Sequence, residues 1–272
     1  MKIIDVHTHA FPDALAEKAL TALAENSAPY KPHTDGTING LLKSMNKYEI
    51  DISVIANIAT KKEQFQPILN WSKSIHSGRI IPLGSVHPDS GDPQGEVTAF
   101  KDAGFPGIKL HPMYQNFNID DRRIYPIYEA ISYNGMFLLV HSGYDIAFPA
   151  DRRASVEKTL KVIKDFPELK IIAAHFGAWR DSEGVQETLA GKNIYFDTSF
   201  IEEADEAAAK NILKKHDMDK FVFGSDSPWL DQGDEISNIL KLKLKDEDNE
   251  KIFYGNISAL LKSTGYIISI KE

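Results

Sequence analysis

Short apolar runs recur eight times along the chain. Each run has about five to eight residues, is rich in β-branched side chains and lacks the polar alternation of a half-exposed strand. Strands of a parallel sheet that is covered on both faces have this composition. The runs are "KIIDVHTHA", "ISVIANIA", "RIIPLGSV", "FPGIKLHP", "MFLLVHSG", "KIIAAHFG", "NIYFDTSF" and "FVFGSDSP".

Helix-patterned stretches separate these runs, among them "DALAEKALTALAE", "GLLKSMNKYE", "RASVEKTLKVIKDF" and "EEADEAAAKNILKKH". Eight strands alternating with helices predict one α/β domain over residues 1–272, a (β/α)8 TIM barrel. A doubly wound sheet is the second choice, but no Gly-x-Gly-x-x-Gly follows the first strand to hold a dinucleotide. The loop Asn26 to Thr37 is expected to cover the barrel mouth.

Composition narrows the class of partner. The 272 residues carry a net charge of −8 without a basic cluster, which argues against a nucleic acid or an anionic membrane surface. The absence of cysteine excludes disulfides and Cys-based metal sites. Strand-like sequence begins at Lys2, and no apolar run approaches the roughly 18 residues of a membrane span. We expect a cytoplasmic protein with a small-molecule substrate, and a homodimer stays open.

Polar side chains interrupt the apolar runs at the ends of five strands. His7 and His9 end the first strand, two residues apart and therefore on one face, roughly 6.5 Å between Cα atoms. The others are Lys109, His111, His141, His175 and Asp226. Because the carboxyl ends of barrel strands meet at one rim, these groups predict a divalent metal site there. Imidazoles with one carboxylate suit Zn²⁺ and also Mn²⁺, Fe²⁺ or Co²⁺.

Three of these residues have open roles. Asp226 could bind the metal, take a proton from its water, or do both. His175 could complete the coordination or stay free as a general acid or base. Lys109 could pair with a carboxylate, bind substrate, or, once carbamylated by CO₂, bridge two ions. His87 and His111 could line the pocket or lie in turns or behind the site, and His76 and His216 are expected on the solvent side of helices.

The motifs "DVHTHAF", "VHSG", "AHFG", "FGSDSPW" and "YGNISALL" together resemble the amidohydrolase superfamily. They are most similar to its aminocarboxymuconate-semialdehyde decarboxylase-like branch, also called amidohydrolase-related, from Met1 to about Leu261. The resemblance implies one metal ion, with His175 as the acid/base, and we expect that ion to be zinc. Its implied ligands are His7, His9, His141 and Asp226. "IKLHP" is also similar to the "KLYP" of dihydroorotases, which keeps open two ions held with carbamylated Lys109 and His175.

The branch holds both hydrolases and lyases. Our first prediction is a metal-dependent hydrolase of a small amide or lactone that uses a metal-activated water. The alternative is a metal-dependent non-oxidative decarboxylase (carboxy-lyase) of a small unsaturated or aromatic acid, and a catalytically dead metabolite sensor comes third. Residues just beyond strand ends are predicted to bind substrate with Lys109: Arg180, Trp179, Tyr144 and Trp229.

Overall fold

Within the described part of the chain, eight parallel strands form the centre of the fold, as the sequence predicts. A computed structural model describes residues 1–268. The strands are β1 Ile4–Thr8, β2 Ile52–Ile55, β3 Ile80–Pro82, β4 Gly107–Leu110, β5 Phe137–Val140, β6 Lys170–Ala173, β7 Tyr195–Asp197 and β8 Phe221–Val222. Hydrogen-bonded pairing runs in order within β1–β3 and within β4–β8.

Backbone bonds at two seams join these sheets into a closed barrel. The amide of Gly84 donates to the carbonyl of Gly107 (3.0 Å), and the amide of Lys109 donates to the carbonyl of Gly84 (2.8 Å). These two bonds link β3 to β4. The amide of Val6 donates to Phe223 (2.8 Å), and Thr8 bridges to Ser227, which links β8 to β1. The (β/α)8 barrel is therefore confirmed.

Helices cover the outside of the barrel. They are α1 Asp13–Ala24, α2 Ile38–Lys47, α3 Phe65–Ile75, α4 Pro93–Asp102, α5 Tyr125–Tyr133, α6 Val156–Asp165, α7 Ser182–Gly184, α8 Glu206–Lys215, α9 Gln232–Lys241, α10 Asp246–Glu250 and α11 Asn256–Ser263. Short π-helical segments extend α7 to Leu189 and join α10 to α11. Across residues 1–268, none of these helices has both the length and the apolar content to traverse a bilayer.

The hydrophobic core has two layers. Side chains that point into the barrel, such as Val6, Leu139 and Ile172, pack with α11 residues Leu260 and Leu261. The opposite faces of the strands pack against the surrounding helices. This alternation explains why the strand sequences are apolar at almost every position.

Two predictions about helix-associated histidines are wrong. His216 is only 4% exposed: its ring stacks on Phe196 at 4.2 Å, and its Nδ1 accepts the amide of Gly191 at 3.0 Å. His76 is half-buried and bonds the hydroxyl of Tyr266 at 2.9 Å. Both imidazoles terminate helices rather than lying within them, so their rings turn back onto the core.

Candidate metal centre

One cavity of about 430 Å³ opens at the carboxyl ends of the strands. Its inner end is lined by residues from six different strand ends, which makes it the place where side chains distant in sequence meet. Among them are all the predicted metal-site residues: His7, His9, Lys109, His141, His175 and Asp226.

His7, His9 and Asp226 converge on one point of this inner end. Oδ1 of Asp226 lies 3.1 Å from Nε2 of His9 and 3.3 Å from Nε2 of His7. The two imidazole centroids are 5.1 Å apart. Burial lowers the pKa of His7 well below its usual value, so its imidazole is neutral and keeps a lone pair for an ion.

The inward orientation of His7 depends on an irregularity in β1. Val6 already faces the barrel interior, so strict alternation would turn His7 toward the helices. The pairing of β1 with β2 shifts register between Asp5 and Thr8, where His7 lies. Gly224 leaves room for it, because a Cβ there would lie 3.0 Å from the Cβ of His7.

Two of the predicted metal-site residues adopt left-handed backbone conformations. The φ angles are +60° at His175 and +56° at Asp226. Side chains other than glycine rarely occupy this region, and such strain is concentrated at functional sites. Hydrogen bonds hold both residues in place. The amide of Asp226 donates to the backbone carbonyl of His7 (2.8 Å), and the amide of His175 donates to Oδ1 of Asp197 (2.9 Å).

Lys109 is fully buried beside His7. Its Nζ lies 3.0 Å from Nε2 of His7 and makes no ion pair with Asp226. Burial lowers the pKa of Lys109 to about 8, although the carboxylates of Asp226, Asp197 and Asp145 oppose that shift. The lone pair of His7 Nε2 can serve either this amine or an ion, so an ion there would free the amine for another partner.

Asp197, at the end of β7, gathers four donors. Its Oδ2 lies 2.8 Å from Nδ1 of His7, and its Oδ1 accepts the amide of His175 (2.9 Å). The same Oδ1 accepts the Ser199 hydroxyl (2.6 Å) and the Ser199 amide (3.1 Å). The bond to His7 places the imidazole proton on Nδ1 and leaves Nε2 facing the cavity, the orientation that a metal-binding histidine needs.

A chain of hydrogen bonds continues from Asp197 across the inner end of the cavity. Because Ser199 donates to Asp197, it accepts from Nδ1 of His175 (2.9 Å), which leaves Nε2 of a neutral His175 as an acceptor. Nδ1 of His141 lies 2.9 Å from that nitrogen. The other nitrogen of His141 lies 2.8 Å from the carbonyl of Tyr144, so a neutral His141 cannot donate in both directions. A neutral His141 that donates to the Tyr144 carbonyl keeps a lone pair on Nδ1, which an ion could use; its role as a ligand stays a prediction.

A second cluster borders the first. His111 stacks on His141 with centroids 4.2 Å apart, and its Nε2 lies 3.4 Å from Oδ2 of Asp145. Burial alone would raise the pKa of Asp145, but the hydrogen bond from His111 and the nearby imidazoles lower it to about 2. Burial also lowers the pKa of His111 to about 3. His111 therefore lies in the wall of the site and is more than a turn residue.

The four predicted substrate contacts separate into two pairs. Trp179 and Trp229 line the cavity. Tyr144 and Arg180 lie outside the cavity wall described for residues 1–268. Arg180 is exposed, stacks on Trp179 at 4.1 Å and lies 3.9 Å from Glu203, whereas the Tyr144 hydroxyl accepts from Arg152 (2.6 Å). Their contact with substrate stays a prediction.

Sequence reasoning missed four residues of the inner end: Asp145, Asp197, Ser199 and Phe200. Asp197 and Ser199 were visible in "NIYFDTSF", whose polar end, like that of "FVFGSDSP", carries an aspartate and serine but no histidine. Asp145 belongs to the loop after β5, where no periodicity marks it. Phe200 lies 5.3 Å from His175 between ring centroids and closes the site from the side.

The side chains present fit a divalent ion. Within residues 1–268, three sets bring one ligand atom each within 4.8 Å of one another. They are His7, His9 and Asp226; His7, His175 and Asp197; and His111, His141 and Asp145. Two imidazoles and a carboxylate in the first set match the donor preferences of borderline metals.

Comparison with known proteins agrees with this geometry. A family model described as Amidohydrolase matches residues 4–262. The chain belongs to the amidohydrolase family. Because members of that family bind a divalent metal, the cluster at the strand ends is a candidate metal centre, although neither the identity nor the number of ions follows from the match.

Several relatives extend the comparison. A dihydroorotase of Delftia acidovorans is 33% identical over 116 residues, which is 39% of this chain and 33% of that protein. The match thus spans about a third of the length of this curated relative. A TIM-barrel protein of Bordetella bronchiseptica superposes with a TM-score of 0.76 at 19% identity, over 97% of this chain and 100% of the other.

Two further solved structures differ in the reaction that their names describe. The 5-carboxyvanillate decarboxylase of Sphingomonas paucimobilis superposes with a TM-score of 0.72 at 14% identity, over 96% of this chain and 99% of that one. A probable 2-pyrone-4,6-dicarboxylic acid hydrolase of Acinetobacter baumannii gives 0.70 at 16% identity, over 96% and 100%. These likenesses establish the shared fold, which hosts both reactions.

Proposed function

We propose that this amidohydrolase-family protein is a zinc-dependent hydrolase of a small neutral amide or lactone. The observation that carries the proposal is the set of His7, His9 and Asp226 beside a buried amine, in a cavity whose described wall contains no arginine. A dicarboxylic acid, such as the name of the Acinetobacter hydrolase specifies, needs cations to bind both carboxylates. Lys109 is the one non-histidine cation in the described wall, so a neutral substrate fits better.

Each group at the inner end has a role in this reaction. An ion held by His7, His9 and Asp226 would lower the pKa of a bound water and polarise the substrate carbonyl. The carboxylate of Asp226 can accept a proton from that water. Burial and the neighbouring imidazoles of His141 and His7 hold the pKa of His175 well below its usual value, so His175 begins as a neutral base.

Lys109 has the position to bind the substrate oxygen. An ion on His7 releases the amine from its contact with Nε2, and no carboxylate of the described residues lies within ion-pair distance of Nζ. The amine can then donate to a carbonyl or leaving-group oxygen. Carbamylation of Lys109 would instead create a bridging carboxylate for a second ion, which two metal equivalents per chain would reveal.

The test combines metal analysis with product analysis. Purified protein is stripped, reloaded with Zn²⁺, Mn²⁺ or Co²⁺, and offered neutral lactones and amides in ¹⁸O-labelled water. We expect about one metal per chain and a carboxylic acid that carries one solvent oxygen. Release of CO₂ from an unsaturated or aromatic acid, with no hydrolysis, would replace this proposal with the decarboxylase alternative. Metal binding without either reaction would support a binding protein.

A further inference from the structure

The cavity continues outward from the candidate metal centre as a trough between α1 and α3. Leu15, Ala19 and Leu23 follow one another at intervals of four residues, so they lie along one face of α1. Three residues of α3 form the opposite wall. We use the name outer trough for the surface formed by six cavity-lining residues: Leu15, Ala19, Leu23, Pro67, Ile68 and Trp71.

The outer trough has no charge. Its six side chains are apolar apart from the indole nitrogen of Trp71. The nearby polar lining is neutral, for example Asn26, Asn57 and Gln64. The described cavity wall contains two carboxylates and one lysine, and all three lie at the inner end: Asp145, Asp226 and Lys109. A charged group placed in the trough would lose hydration without gaining a partner.

The exposure of these residues also needs a reason. Leu15 is 54% exposed, whereas Ala16 and Leu20 on the next face of α1 are buried in the core. Scattered apolar residues on a surface are ordinary. Here they are aligned on two helices along one opening that leads to the metal centre, and such contiguous apolar surface marks a binding groove.

We infer that the outer trough binds an uncharged apolar chain, acyl or aryl, that belongs to the substrate itself. This inference rests on the proposed function, because it takes the reacting carbonyl to lie at the inner end. Continuity of the cavity decides the occupant: a group attached to a carbonyl near His7 and Asp226 must extend outward between α1 and α3. Among small neutral lactones and amides, those that carry an alkyl or aryl group are therefore the preferred substrates.

A chain-length series tests the inference directly. Straight-chain hydroxamates from two to ten carbons are titrated calorimetrically into zinc-loaded protein. Affinity should rise about fourfold per methylene, the gain from burying one CH₂. A hydroxamate with a carboxylate at the far end of its chain should lose that gain. A flat series, or tighter binding of the charged analogue, would overturn the inference.

A pair of variants on one helix locates the effect. Ala19→Trp fills the outer trough, while Ala22→Trp adds the same ring on the exposed face of α1, outside the cavity wall. The first variant should lose the dependence of hydroxamate affinity on chain length. The second should keep it. Equal behaviour of both variants would contradict the assignment of the outer trough.

A second series separates this inference from the proposed function. Straight-chain alcohols from hexanol to decanol are titrated into metal-free protein, where no hydrolysis or metal chelation contributes. The same increase per methylene and the same loss in Ala19→Trp would support the outer trough even if no lactone or amide is hydrolysed. Mass by light scattering is followed in parallel, and a dimer that Ala19→Trp dissociates would assign the trough to a second copy instead.

Discussion

The inner end and the outer trough of the cavity are built in opposite ways. At the inner end, buried polar groups on strand termini hold one another, as Asp197 holds His7, His175 and Ser199. In the outer trough, partly exposed apolar side chains on two helices line the open cavity, and Ile68 and Trp71 also pack against the hydrophobic core. Substitutions within a hydrogen-bonded polar network have large and non-additive effects on free energy. Substitutions in an apolar wall change the binding free energy in proportion to the apolar area that they add or remove. The contrast separates chemistry from substrate selection within one cavity.

The largest effect should follow from removing a ligand at the inner end. His7→Ala deletes an imidazole whose nitrogen faces Asp226 at 3.3 Å. We expect loss of bound metal and of hydrolysis, beyond the 10- to 100-fold typical of residues that only support ligands. Metal per chain by mass spectrometry provides the measurement. His87→Ala is the matched control, because His87 follows β3 outside the cavity wall and should keep its metal. A full metal equivalent in His7→Ala would refute the site.

An intermediate effect should follow from changing the residue behind His7. In Asp197→Asn, one oxygen becomes an NH₂ group, and the oxygen that remains is required by the three donors from His175 and Ser199. The NH₂ group then faces Nδ1 of His7 and favours the tautomer whose proton lies on Nε2, where the ion should bind.

Metal affinity in Asp197→Asn should therefore fall by about 10- to 100-fold, measured by competition with a chelator. Asp205→Asn is the control, since Asp205 caps α8 through Ala208 (2.9 Å) and Asn caps a helix equally well. If both variants bind metal like the wild type, Asp197 contributes only to folding.

The sequence predicts the inner end far better than the outer trough, for a physical reason. Strand ends of a barrel meet at one rim whatever the helices do, so His7, His9, His175 and Asp226 could be brought together from strand counting alone. Leu15 and Ala19 fit an ordinary amphipathic helix, and only the folded structure shows that they line a cavity. The local sequence of a helix does not indicate which surface its apolar residues will face.

Local rules also fail inside the site. The register shift that turns His7 inward and the left-handed conformation of Asp226 both oppose the regular pattern of strands. Such departures are expected where function requires a strained geometry that neighbouring bonds maintain. The bonds in question come from residues distant in sequence, such as Asp197, and no spacing rule within one strand could reveal them.

The smallest effect concerns a carboxyl behind the inner end and should leave the metal untouched. Burial raises the pKa of Glu235 to about 8, although its hydrogen bonds from Asn238 and from the Phe200 amide (3.1 Å) favour the charged form. The folded chain thus holds a proton there that the unfolded chain releases near pH 4.5. The contribution of Glu235 to stability is therefore greatest below that value and falls as pH rises toward 8, with a slope of at most about 1.4 kcal/mol per pH unit.

Urea unfolding at pH 6, 7 and 8.5 measures that slope. Glu235→Gln removes the titrating group while its carbonyl still accepts the amide of Phe200, so between pH 6 and 8.5 the stability of the wild type should fall relative to that of the variant. Other buried groups, among them Asp5 with its pKa raised to about 6 and His111 with its pKa lowered to about 3, titrate in both proteins and cancel in that difference. Glu247→Gln, on the exposed face of α10, should keep the wild-type slope. Equal slopes in all three proteins would mean that Glu235 stays charged in the fold, and that the bonds to Phe200 and Asn238 outweigh its burial.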